Sequence, residues 1–389
     1  MDVFVTGIGI ACAIGLDVRE TWQHLAAGKT GLIYHPEFDR IAGLVSLTND
    51  ALKAQFGYPP EADISRTTLL SLVAATEAWQ GHPKLNALRT GFISATSVGG
   101  MDRMETYYRR FRSEDGFDMS PLMVFENGGT TEEVAKKLGI NGYVSTISTA
   151  CSSGANAIMQ GVRLIRSGRL DRVIAGGVDP VIDYNVKGFS ALKIYSQEPC
   201  QPFDANRKGL NLGEGAAFLV LESRDSLRQT GRQTLCRVSG WANAADAYHQ
   251  TATSPNGDGA TLSMEGAIRQ AGLQASDIDY VNAHGTGTAN NDLSESVAFC
   301  RVFGQQMPAF SSTKSLTGHT LAAAGAIEAV FSVLALQDQQ VWPNLHFKTP
   351  IPESGLTPET KVKSASIQHI LSNSFGFGGN CTSLVFSKK

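Results

Sequence analysis

The chain repeats its own landmarks. A β-type run closing on glycine occurs twice, as Val3-Phe4-Val5-Thr6-Gly7 and as Cys236-Arg237-Val238-Ser239-Gly240. Twice a loop of small residues with a reactive side chain leads into an Ala-rich stretch: Cys151 into residues 152–165, and His319 into residues 320–336. Twice a glycine-rich turn precedes a closing strand, at Gly213-Glu214-Gly215 and at Gly376-Phe377-Gly378-Gly379. An internal duplication accounts for all three pairs at once, so the chain should fold as two related halves. The polar stretch 222–234 is the expected junction, giving halves of residues 1–230 and 231–389.

Short apolar runs at Thr90–Ala95, 172–176 and 279–283 alternate with helical segments. That alternation predicts parallel sheets covered by helices on both faces, an α/β architecture. Residues 154–165 and 322–336 carry few charges, which predicts helices buried between layers. The apolar runs are short and interrupted, so no transmembrane helix is expected. A net charge of −3 gives no global attraction to nucleic acid or to an anionic membrane. The six cysteines, at 12, 151, 200, 236, 300 and 381, form no CxxC pair and no cluster with histidine. That usage points away from a disulfide framework and from a metal site, and toward a reducing compartment. Met1-Asp2-Val3-Phe4 has no basic flank and reads as a first strand, not a signal peptide; a cytoplasmic location is expected.

Reactive residue types fall in small-residue loops. A lone cysteine is ordinarily a buried small hydrophobe, but Thr149-Ala150-Cys151-Ser152-Ser153-Gly154 places this one at a strand-to-helix turn. There the helix dipole and nearby cations are expected to favour its thiolate. His284, in Asn282-Ala283-His284-Gly285-Thr286-Gly287-Thr288, and His319, in Lys314-Ser315-Leu316-Thr317-Gly318-His319, have no adjacent charged side chain. Either suits turn packing, or the polarising of a carbonyl near neutral pH. Lys314 follows an apolar strand and sits among Ser311, Ser312, Thr313 and Ser315, a setting for a buried ammonium. Glu328 lies within an apolar run and needs a partner, for which Lys314 is the candidate. The glycines of loop 373–379 let a backbone amide approach a ligand closely, as an oxyanion hole requires. No phosphate-binding loop or dinucleotide fingerprint occurs. The arginines Arg103, Arg109, Arg110 and Arg112 read as a solvated helix face. One nucleophile with two imidazoles describes covalent acyl transfer.

Taken together, TACSSG, NAHGTGT, TKSLTGHTLAAAG and NSFGFGG, in that order, resemble the elongating Cys-His-His β-ketoacyl-acyl carrier protein synthases from Phe4 to Phe386. The resemblance implies a thiolase-like five-layer αβαβα sandwich, paired as a dimer, using neither metal nor other cofactor. It implies that Cys151 carries the acyl chain, that His284 and His319 promote decarboxylation of a malonyl thioester, and that Lys314 supports the His319 site, braced by Glu328. It further implies an oxyanion hole from the Cys151 and Phe375 amides, with Phe375 as the gate. Thr286 and Thr288 would be supporting hydroxyls, Val98 and Phe189 would line the acyl pocket, and Lys193 would meet the acyl carrier protein. The implied partners are acyl- and malonyl-loaded carrier protein and a second ketosynthase subunit, identical or of the chain-length-factor kind.

The chain departs from the family at Asn380-Cys381, where Thr-Asn is usual, and at residues 124–131, which are polar and glycine-rich. The latter, with Leu210-Asn211-Leu212-Gly213, is similar to ketosynthases of aryl-polyene and flexirubin-type pigment pathways. Of the rivals, a thiolase needs a second catalytic Cys-x-Gly near the C-terminus, whereas Cys381 is followed by Thr382. An initiating synthase has asparagine in place of the second histidine, and a non-catalytic partner subunit typically lacks the nucleophile.

Overall fold

A computed structural model describes residues 2–114, 116 and 126–388. Each half contributes five strands in the same arrangement. In the N-terminal half the spatial order is Tyr143–Ile147, Thr90–Ala95, Arg172–Asp179, Gly215–Ser223, Val3–Cys12. In the C-terminal half it is Ala309–Ser311, Tyr280–Asn282, His369–Gly376, Asn380–Ser387, Cys236–Ala245. The first two pairings of each series are parallel and the other two antiparallel. The sheets are therefore mixed, not purely parallel as the alternation suggested. The physical reason is that each half closes by laying its last strand antiparallel between its fourth and its first. Phe4 and Val5 pair with Arg237 and Cys236, which stitches both series into one ten-stranded ladder.

Two inner helices lie between the halves. Ser153–Arg166 packs on the strands Arg172–Asp179 and Thr90–Ala95 and reaches Asn380–Ser387. Ala324–Asp338 packs on Gly215–Ser223 and on His369–Gly376. Outside them Arg66–Trp79 covers the N-terminal strands, while Asp258–Ala271, backed by Ala289–Phe303, covers the C-terminal ones. These are five layers, αβαβα.

The small residues explain why the inner helices lie so close. A Cβ on Gly154 would sit 2.8 Å from the Ala322 carbonyl oxygen, and one on Gly325 would sit 2.8 Å from the Ala155 amide nitrogen. Backbone meets backbone at the crossing, which only glycine permits. The stretch Leu321–Asp338 is long and apolar enough to cross a membrane, yet 89% of it is buried inside the protein, as the core reading requires.

Candidate active site

The nucleophile turn is strained where it is aimed. Ala150 holds φ +52°, a left-handed conformation that costs a non-glycine residue about 1 kcal/mol or more. Cys151 follows directly, one residue before the N-cap Ser152 of the helix Ser153–Arg166. Its thiol is 5% exposed. Burial pushes the thiol up to about 12, opposed by the charge of Lys314 and by the backbone amide of Phe377. The lowered thiol expected from the helix terminus is thus corrected: desolvation of a buried anion outweighs the dipole and the lysine together. Alkylation of Cys151 by iodoacetamide should therefore rise about tenfold per pH unit from pH 7 to 10 without levelling, because the thiolate fraction below its pKa grows tenfold per unit. Peptide mass spectrometry separates this site from the exposed Cys300; a plateau near neutrality would contradict the burial argument.

His284 and His319, both from the C-terminal half, meet with their ring centroids 5.3 Å apart and their planes nearly perpendicular. The two loops are clamped from below. Glu295 accepts from the amides of His284 (2.9 Å) and Gly285 (2.8 Å) and from the Asn373 amide (3.2 Å). The main chain of His319 donates to Asn211 O (2.7 Å) and accepts from Gly213 N (2.9 Å), so the segment 211–213 of the N-terminal half holds the second histidine.

The protonation of the two rings follows from their neighbours. Burial, with the charge of Lys314 adding to it, holds both imidazoles well below the usual histidine range, so both are neutral near pH 7. The Leu321 amide donates to Nδ1 of His319 at 3.3 Å, and Lys314 Nζ lies 3.4 Å from Nδ1 of His284. With each Nδ1 facing a donor, the one proton of each ring belongs on Nε2. Lys314 is fully buried and ion-paired to Glu328, as expected, and burial pushes the Glu328 carboxyl up to about 7 against the pull of Lys314. The lysine's hydrogen-bond reach is to His284, while its charge also acts on His319.

Cys151, His284 and His319 line one cavity of about 310 Å³. Phe189, Ile194 and Leu210 supply apolar wall, and Thr286 and Thr288 line it with hydroxyls 2.9 Å apart. The ring of Phe377 stacks on Phe189 at 5.8 Å. The amide facing the cysteine sulfur belongs to Phe377, not to Phe375. Phe375 is still inside the strand, opposite Cys381 in register, and its ring packs on His284 at 5.6 Å. The turn that frees an amide comes two residues later. Val98 is buried but does not line the cavity; Thr96 and Asp179 hold its amide instead. Lys193 is exposed, next to the lining residue Ile194.

Several residues that position this site were not singled out from sequence. Asp179 accepts from Thr96 Oγ1 (2.7 Å), the Ser97 amide (2.9 Å) and the Ala322 amide (2.8 Å), tying a loop of one half to the turn after His319. Its signal was an acid ending an apolar strand. Asn380 settles the departure from the family pattern: its Oδ1 accepts from Ser152 (2.7 Å), Asn156 (2.8 Å) and Asn243 (2.7 Å), joining the Phe377 turn to the nucleophile helix. Of residues 124–131, Val124 and Phe125 lie outside the described residues. Glu126 caps the helix Asn127–Leu138, and none of residues 126–131 lines the cavity. Cys381, the thiolase candidate, is buried against Gly259 and does not line it either. Among the described residues no three His, Cys, Asp or Glu side chains gather to hold a metal.

Gly376 backs directly onto the nucleophile turn: a Cβ there would lie 2.7 Å from Thr149 O and 3.2 Å from Cys151 N. Gly376→Ala should displace the sulfur by a few tenths of an ångström and slow acylation about 10- to 100-fold, while costing about 1–3 kcal/mol of stability. Rapid-quench acylation and thermal unfolding measure the two effects; wild-type acylation in the variant would refute the contact.

A duplicated five-layer sandwich with one cysteine and two neutral imidazoles at its junction defines a thiolase-like acyl-transfer enzyme. Comparison with known proteins narrows the class. The pattern described as Beta-ketoacyl synthase, N-terminal domain, matches residues 1–226, and that described as Beta-ketoacyl synthase, C-terminal domain, matches residues 235–348. The chain is similar to 3-oxoacyl-[acyl-carrier-protein] synthase 2 of Staphylococcus aureus (strain COL), 34% identical over 407 residues, covering 99% of this chain and 98% of the relative. The protein of the same name from Vibrio cholerae serotype O1 is 33% identical, with 99% of each chain covered. Among solved structures, the ishigamide ketosynthase/chain length factor superposes with a TM-score of 0.93 at 28% identity, over 100% of this chain and 99% of that one. A ketosynthase in complex with its chain length factor from Xenorhabdus doucetiae gives 0.85 at 30% identity, over 100% and 98%. The chain belongs to the β-ketoacyl synthase family.

Proposed function

We propose that the chain condenses an acyl group held on Cys151 with malonyl-acyl carrier protein, giving a β-ketoacyl-acyl carrier protein two carbons longer. The observation that carries this is one cavity in which a cysteine meets two buried imidazoles, each with its Nδ1 turned toward a donor. In the first half-reaction the Cys151 sulfur attacks the acyl-carrier thioester; the new S–C bond forms, the carrier thiolate leaves and takes the thiol proton. The Cys151 and Phe377 amides, which already face the sulfur, hold the oxyanion. In the second, His284 and His319 donate from Nε2 to the malonyl thioester oxygen as the C–CO2 bond breaks and its electron pair enters the enolate. The enolate carbon then attacks the Cys151 thioester, and the cysteine leaves as thiolate and regains a proton. Uncharged donors suit this step, since an imidazolium would surrender its proton to the enolate. Holding both acyl groups in one cavity removes the entropy cost of a bimolecular bond formation.

On this reading residues 1–230 supply the nucleophile and residues 231–389 the histidines. Thr286 and Thr288 contact the incoming thioester arm, Phe189 bounds the acyl chain, and the exposed Lys193 meets the acidic carrier protein. The chain works in the cytoplasm as a homodimer or beside a chain-length-factor-like subunit. Intact-protein mass spectrometry with an acyl-carrier donor, followed by malonyl-carrier protein, tests the whole scheme. An adduct discharged as a two-carbon-longer ketoacyl carrier supports it; absence of an adduct with any donor, with and without a partner subunit, refutes it. Within this reading the likeness of residues 124–131 and Leu210-Asn211-Leu212-Gly213 to pigment-pathway ketosynthases, and not a lining contact of residues 126–131, favours an unsaturated acyl chain. Polyenyl donors should then outcompete saturated ones, and equal use of saturated chains would overturn that assignment.

A further inference from the structure

A second cavity, of about 470 Å³, opens at the opposite end of the N-terminal strands, where Thr90–Ala95, Tyr143–Ile147 and Arg172–Asp179 begin. At about 3.3 Å per residue it lies roughly 20 Å from the cysteine cavity. Among the described residues four cations line it, Lys84, Arg89, Arg169 and Arg172, and no carboxylate does. Arg89 is neutralised by Asp171, at 3.0 Å from Nε and 2.9 Å from Nη2. Lys84, Arg169 and Arg172 have no ion pair among the described residues.

Arg172 is the unusual member. It is 2% exposed, in a place where a charge normally has a partner. Its Nε donates to Thr90 Oγ1 and its Nη1 to the Pro83 carbonyl, both at 2.7 Å, and its guanidinium lies over the Trp79 ring at 4.6 Å. His82 stacks on the same ring, so the arginine is clamped in place. Glu222 and Asp171 act on it only at a distance, beyond ion-pair range. Among the described residues Nη2 has no acceptor, and Arg172 lines the cavity. Leu85, Leu138 and Leu170 supply an apolar part of the wall, and Asn86 and Asn141 add polar groups beside it.

We propose that this cavity binds a small organic phosphate. Its oxyanion bridges Arg172, Lys84 and Arg169, and its carbon portion lies against the leucines. A planar guanidinium held by its neighbours with one edge open is pre-organised for an oxyanion, and three cations without a counter-ion favour a dianion over a single carboxylate. The site is independent of the condensing chemistry.

Isothermal titration of the full chain with phenyl phosphate, in a constant chloride background, tests it. The expected result is one saturable site, weakened about tenfold or more in the exposed double variant Lys84→Gln/Arg169→Gln, with unfolding temperature and Cys151 acylation unchanged. Inorganic phosphate should bind more weakly than phenyl phosphate. No saturable binding above chloride, or equal affinity in the double variant, overturns the site. Equal affinity for the two phosphates overturns its organic character. The exposed pair keeps the test valid even where Arg172→Gln, a change inside the core, fails to fold.

Discussion

Cys151→Ala is expected to abolish the acyl-enzyme and to lower condensation by about 10⁴-fold or more, because no other side chain in the cavity can form a thioester. Its fold should survive: the thiol is buried and tightly packed, and losing one sulfur atom costs about 1 kcal/mol. The informative pairing is therefore mass spectrometry of the adduct beside thermal unfolding of the same sample. Malonyl decarboxylation need not vanish, since the two imidazoles that stabilise the enolate remain. A variant that still elongates at more than about a thousandth of the wild-type rate would move the nucleophile elsewhere.

Lys314→Met should produce the second large effect, on stability and chemistry together. Removing the ammonium leaves Glu328 buried without its counter-charge, at a cost of about 3–5 kcal/mol. It also removes the donor that faces Nδ1 of His284, so the ring is free to place its proton on the wrong nitrogen. Loss of one oxyanion donor costs about 10²- to 10³-fold in kcat. The double variant Lys314→Met/Glu328→Met separates the two contributions. Urea unfolding should return to within about 1–2 kcal/mol of wild type, while kcat stays low. Recovery of activity in the double variant would show that the lysine acts through folding alone.

Much of this site was legible because its chemistry sits in loops of small residues. Cys151, His284 and His319 stand out as reactive types among Gly, Ala, Ser and Thr, and the duplicated landmarks announce two halves. The buried inner helices were legible too, since an Ala- and Gly-rich run with almost no charge has nowhere to go but the interior. What failed to show depends on distances through space. Strand direction is set by which strand inserts between which, so the antiparallel pairings of Gly215–Ser223 and Asn380–Ser387 were missed. The thiol's elevation reflects depth of burial, which the flanking sequence Thr149–Ser152 does not encode. The exchange of Phe375 for Phe377 turns on where a strand ends, a matter of two residues and the least certain feature of any sequence reading. Lys314 is five residues from His319 in the chain, yet its nitrogen reaches the histidine thirty residues away.

The crossing at Gly154 and Gly325 has a consequence for the history of the fold. Each half owns one largely buried inner helix, and part of that burial is provided by the other half's inner helix and strands. A half made alone would leave an apolar, backbone-exposed stripe in water. The ancestral single unit must accordingly have lived as a pair, stable only above some concentration. Joining two copies in one chain made that encounter intramolecular, at an effective concentration on the order of millimolar. Once pairing no longer depended on identity, the two copies were free to diverge, and one could keep a thiol while the other collected imidazoles.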